Sequence, residues 1–68
     1  MPKASRILAA LKRDGWVELA EPGPHRTLKR ARIQQRWAYH DGEDLGNSQM
    51  PKIAKDFGYT LADLREIL

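Results

Sequence analysis

Sixty-eight residues support one domain with a thin core, because a short chain buries a smaller fraction of its surface than a long one. With no cysteine, a disulfide framework and a thiolate metal site are excluded, and packing has to supply the stability. The net charge of +3 is uneven: residues 1–40 hold nine Lys/Arg against three Asp/Glu, giving +6, and residues 41–68 hold three against six, giving −3. No charged start leads into an apolar run and no segment approaches the roughly 18 apolar residues of a membrane span. A soluble, cytoplasmic protein without a membrane partner is expected.

Ala4, Ile7, Leu8 and Leu11 recur at i, i+3, i+4, i+7 and predict a first helix, which Gly15 can close from a left-handed conformation. Trp16 to Glu21 predicts a strand by its aromatic and β-branched content, with Val17 and Leu19 on one face and Glu18 and Glu21 turned to water. Pro22-Gly23-Pro24 breaks it as a turn. His25 to Arg30 predicts a second strand with Leu28 as its one core side chain. Arg36 to His40 predicts a third, reached through a longer hairpin because residues 31–35 contain neither Gly nor Pro.

Asp41 to Gly46 is a loop by composition, and Asn47 or Ser48 can cap the helix that follows, with Pro51 in its first turn. Met50, Ile53, Ala54 and Phe57 repeat the helical stripe, and Gly58 stops it. Thr60 and Asp63 form a capping-box-like start before Leu64, Ile67 and Leu68. The expected fold class is α+β: a three-stranded antiparallel sheet with helices on one face, in the order α-β-β-β-α with a short C-terminal helix, as one domain over residues 1–68. Such a sheet leaves its other face free for a ligand.

Between His25 and Arg36 stand Arg26, Lys29, Arg30 and Arg32 with no acid among them, a cationic stretch of the kind that meets a polyanion. His25 and His40 are the side chains suited to proton transfer near neutral pH. Against that stands the plainer reading, in which His25 is a surface residue after a turn and His40 bonds a loop carbonyl. Trp37 and Tyr39 share a face of the third strand and are candidates to stack on bases, or else to pack in the core; Trp16 reads as core. The acids of residues 41–44 lack metal-loop spacing, and the scattered glycines form no phosphate-cradling loop, so neither a metal nor a nucleotide cofactor is expected.

Asp14-Gly15-Trp16, Gly23-Pro24-His25 seven residues on, His40, and Asp44-Leu45 before an apolar helix ending at Gly58 stand in an order that resembles the HicA toxins over about residues 5–68. The resemblance implies a fold like that of double-stranded-RNA-binding domains and the toxin of a type II toxin–antitoxin system, active in stress responses. It implies an endoribonuclease that cleaves mRNA without a metal ion, with one catalytic histidine, here His25, and a HicB-type antitoxin as partner. Arg26, Lys29, Arg30, Arg32, Arg36, Trp37, Tyr39 and His40 are then the candidate RNA-binding residues. The chain departs from the family pattern in two places. Pro24 stands where serine is usual, and Asp41, Glu43 and Asp44 follow the third strand where basic residues are common. A non-catalytic RNA-binding module of the same fold is the alternative, and an adaptor for an acidic protein a third.

Overall fold

Residues 1–20 and 26–68 are described by the structure, a computed structural model; Glu21, the turn predicted at 22–24 and His25 lie outside the described residues. Helix α1 (Ala4–Arg13) forms where the apolar stripe predicts, burying Ala4, Ile7, Leu8, Ala10 and Leu11. Lys12 and Arg13 in its last turn complement the negative end of the helix dipole. Gly15, at φ +101°, lets the chain reverse so that the Trp16 amide donates back to the Leu11 carbonyl at 3.0 Å.

Strands β1 (Val17–Leu19), β2 (Arg26–Arg30) and β3 (Ile33–Trp37) make one antiparallel sheet in the order β1-β2-β3. The second hairpin is tighter than the sequence predicts. Arg30 pairs with Ile33, so only Ala31 and Arg32 form the turn, and β3 begins three residues early. Ala31 takes the left-handed conformation, φ 55°, that such a two-residue turn demands. It is a position where Gly or Asn would have announced the bend. As a result β3 stops at Trp37, and Ala38, Tyr39 and His40 lie beyond it.

Leu28 faces Gln35 on one side and Glu18 on the other, and directly paired residues share a face of the sheet. Period two then puts Glu18, Arg26, Leu28, Arg30 and Trp37 on the face the helices cover, and Val17, Leu19, Lys29, Gln34 and Arg36 on the uncovered face. The predicted facing of β1 is therefore reversed. Trp16, 1% exposed, enters the core, and alternation carries Glu18 inward with it while Val17 is left 61% exposed.

Helices α2 (Gln49–Phe57) and α3 (Leu61–Ile67) complete an α+β fold of three helices and one sheet. Neither Asn47 nor Ser48 caps α2 through its side chain. Ser48 is the N-cap by position only, and the Gln49 side-chain oxygen accepts from the Gly46 amide at 3.0 Å instead. Gly58, at φ +80°, ends α2 as predicted, and Thr60 accepts from the Asp63 amide at 3.1 Å to start α3. The core joins Ile7, Leu8 and Leu11 of α1, Leu28 and Trp37 of the sheet, Ile53 and Phe57 of α2 and Leu64 of α3. Phe57 meets both indoles edge-on, with centroids 4.8 Å from Trp16 and 6.0 Å from Trp37.

A polar cluster ties three distant parts of the chain. The Tyr59 hydroxyl accepts from Trp16 Nε1 at 3.0 Å and Arg30 Nη1 at 3.1 Å, and donates to the Asp14 carboxylate. Arg30 also donates to Asp14 Oδ2 at 2.8 Å and lies 5.1 Å from the Trp16 ring centroid, within cation–π range. Burial, and then the hydrogen bond to Asp14, push the Tyr59 phenol above its ordinary range. No helix among the described residues is long and apolar enough to cross a membrane.

Candidate functional site

The cationic stretch that is continuous in sequence is divided in space. Arg26 and Arg30 lie on the helix-covered face, where each is engaged by carboxylates. Arg26 donates from Nε and Nη2 to Glu18 at 2.6 and 3.0 Å and from Nη1 to Asp41 at 3.0 Å, and Arg30 is held by Asp14 and Tyr59 as above. The hydrogen bonds from Arg26, and next from Lys12 at 2.9 Å, pull the Glu18 carboxyl down from its ordinary 4.5 to about 2. Reciprocally, Glu18 drives the Arg26 guanidinium further above the range in which it could lose a proton.

Lys29 and Arg36 behave differently. Both sit on the uncovered face and are exposed, and neither has an ion-pair partner among the described residues. Thr27 pairs with Arg36 and Lys29 with Gln34, so the two cations are diagonal neighbours across the β2–β3 ribbon, roughly 8 Å apart at the backbone by ordinary strand spacings. Arg32 stands exposed at the hairpin tip. Lys29 and Arg36 are thus the exposed cations that the uncovered face of the β2–β3 ribbon presents among the described residues.

At the opposite end of the ribbon from that tip, a groove of about 510 Å³ opens where β2 begins and β3 ends, and Arg26, Arg36, Trp37, Tyr39, His40 and Asp41 line it. Trp37 contributes wall and not a stacking platform: it is 2% exposed, with its ring against Phe57 and 5.2 Å from that of Tyr39. Its Nε1 is buried without a hydrogen-bond partner among the described residues. Tyr39 is half-buried and His40 exposed. His25 lies outside the described residues; in sequence it directly precedes Arg26, which lines the groove.

A turn fixes the rim. The His40 carbonyl accepts from the Glu43 amide at 2.9 Å while the His40 amide donates to Glu43 Oε1 at 3.3 Å. Asp41 and Glu43 carbonyls then accept from the Ser5 and Ala4 amides at 3.2 and 2.8 Å. These amides are orphan donors at the start of α1, so the helix itself pins the loop that bears His40. Sequence reading treated the acids of this loop only as charges near the site. The structure makes Asp41 a part of the groove, through its bond to Arg26, and only the facing of Arg26 could have announced that.

Among the described residues, no three His, Cys, Asp or Glu side chains converge as a metal site would require. The arrangement offers an imidazole, a phenol and two guanidiniums around one opening, groups able to move a proton and to stabilise charge on a phosphoryl oxygen. Comparison with protein-family models, with curated proteins and with solved structures finds no match to this chain.

Proposed function

We propose that this chain is the toxin of a toxin–antitoxin pair, a metal-independent ribonuclease that takes messenger RNA into the groove and cleaves it with His25. The observation that carries the reading is the groove: it begins at the residue after His25 and gathers Arg36, Tyr39 and His40 around one space. RNA supplies its own nucleophile, so a neutral imidazole suffices to draw the proton from a 2′-hydroxyl as it attacks phosphorus. Arg36, free of carboxylate partners among the described residues, is suited to the charge that builds on the phosphoryl oxygens. Lys29 extends the same positive surface along the strand. DNA lacks the hydroxyl and is spared. The protein acts in the cytoplasm, and its antitoxin silences it by covering the groove, which also stabilises a thin-cored fold by mass action.

One observation favours the second reading, an RNA-binding module without catalysis. Asp41 lines the groove and occupies Arg26, cancelling part of the positive charge that a phosphate would meet there. The two readings part on purified protein in EDTA. The ribonuclease should degrade unstructured RNA and leave DNA of the same sequence intact. His25→Ala should still bind RNA but cleave it about 10²–10⁴-fold more slowly, and should relieve the growth arrest caused by expressing the wild type. Salt-sensitive binding without cleavage by the wild type leaves the binding module; neither binding nor cleavage removes both.

A further inference from the structure

Cleavage of RNA by its own 2′-hydroxyl requires two proton transfers at two places. One group takes the proton of the 2′-oxygen, and another must protonate the 5′-oxygen that leaves, because an alkoxide is a poor leaving group. Resting on the ribonuclease reading above, in which His25 is the first group, we infer that His40 is the second: the general acid that protonates the departing 5′-oxygen.

The other described side chains of the groove are each less suited to that role. Arg26 is bound by Glu18 and Asp41 and holds its proton more tightly still for it. Arg36 is a guanidinium, which does not give up a proton in proteins. Asp41 is engaged as an acceptor, taking a hydrogen bond from Arg26 Nη1 at 3.0 Å. Tyr39 presents a phenol, by nature a much weaker acid than an imidazolium. Trp37 is sealed. Among the described residues, the imidazole of His40 combines exposure and a place on the groove wall with a ring that can both hold and release a proton.

Placement supports the same role. The turn from His40 to Glu43 is closed by two hydrogen bonds and anchored to the start of α1, so the backbone that bears the imidazole is held still, as positioned acids require. Among the described residues, the charged groups around it are Arg26, Arg36 and Asp41 of the groove, Glu43 across the turn, and Lys3, whose ammonium reaches the Gly42 carbonyl at 3.4 Å. In the step, the 2′-oxygen bonds to phosphorus as the bond from phosphorus to the 5′-oxygen breaks. His25 takes the 2′ proton and the His40 imidazolium gives its proton to the 5′-oxygen. The products are a 2′,3′-cyclic phosphate and a free 5′-hydroxyl, and exchange with water returns both histidines to their starting forms.

Leaving-group chemistry tests this. Two substrates are compared on the full chain: a short unstructured RNA, and the 4-nitrophenyl ester of uridine 3′-phosphate, whose leaving phenolate needs no proton. His40→Gln should slow RNA cleavage by at least about 10²-fold and flatten the alkaline fall of its pH–rate profile, while the loss is rescued to within about threefold on the aryl ester. His25→Ala should slow both substrates. Circular dichroism matching the wild type shows that the exposed substitution leaves the fold intact, and rates taken at saturating substrate separate the chemical step from any change in binding. Equal slowing of both substrates by His40→Gln, or slowing of neither, overturns the role of His40 while the ribonuclease stands. A wild type that cleaves neither substrate removes the ribonuclease reading and this inference with it.

Discussion

Glu18→Gln isolates the ion pairs on the covered face of the sheet. The Glu18 side chain is 27% exposed and takes both nitrogens of one arginine edge from Arg26 and the ammonium of Lys12. Those partners hold its carboxyl at about 2 in place of 4.5. A carboxylate depressed on folding adds stability that is fully present above its unfolded pKa and is lost as pH falls through the folded one. The window here runs from about pH 4.5 down to about 2. At about 1.4 kcal/mol per pKa unit the shift bounds the effect near 3 kcal/mol, and screening at the solvent-facing partners reduces it to about 1–2 kcal/mol. For a chain of this size, whose whole stability is of order 3–10 kcal/mol, that is a substantial fraction. The glutamine keeps the shape and an acceptor oxygen and removes the charge. Thermal unfolding followed by circular dichroism should show its midpoint roughly 5–15 °C below the wild type at pH 7, with the gap closing as pH falls from 4.5 toward 2. An unchanged gap across that interval, or none at pH 7, refutes the electrostatic account.

Facing also predicts how RNA affinity divides among the basic residues. Lys29→Ala and Arg36→Ala should each weaken binding and lower the slope of log K against log salt by about one, whereas Arg30→Ala, which breaks the Tyr59 cluster, should lower the unfolding midpoint and leave that slope unchanged. Equal slopes for all three variants would show that the two faces of the ribbon do not differ in contact with RNA. Leu28, 0% exposed, is the sole leucine by which the middle strand enters the core. Leu28→Ala should cost about 2–5 kcal/mol, enough to leave much of the chain unfolded at 37 °C, and a urea midpoint within experimental error of the wild type would contradict its placement.

The helices were legible because a 3.6-residue repeat writes itself into the chain: Ile7, Leu8 and Leu11, then Met50, Ile53, Ala54 and Phe57, all lie where the spacing predicts. Gly58 and the Thr60–Asp63 cap were legible for the same reason, as local chemistry with a local signal. The hairpin tip was not, since Ala31 adopts a positive φ that alanine does not advertise. The division of the basic stretch was half legible. Once Leu28 is taken as core, alternation alone turns Arg26 and Arg30 inward with it and Lys29 outward. The sequence could not show what they meet, because Glu18, Asp14, Tyr59 and Asp41 are brought to them by pairings up to 29 residues apart. The groove follows from where β3 ends, and that end depends on the unsignalled turn.

The three-stranded order leaves β3 at the margin of the sheet. A marginal strand offers a row of amides and carbonyls to any neighbour of matching length, and Ile33, 55% exposed, adds an oily foothold beside it. Arg32 and Arg36 are the local deterrent, since two such margins brought together would set like charges side by side. That protection is ionic. Concentrated protein in strong salt therefore loses it first and is prone to self-association along this border, so storage at low ionic strength keeps the molecule dispersed.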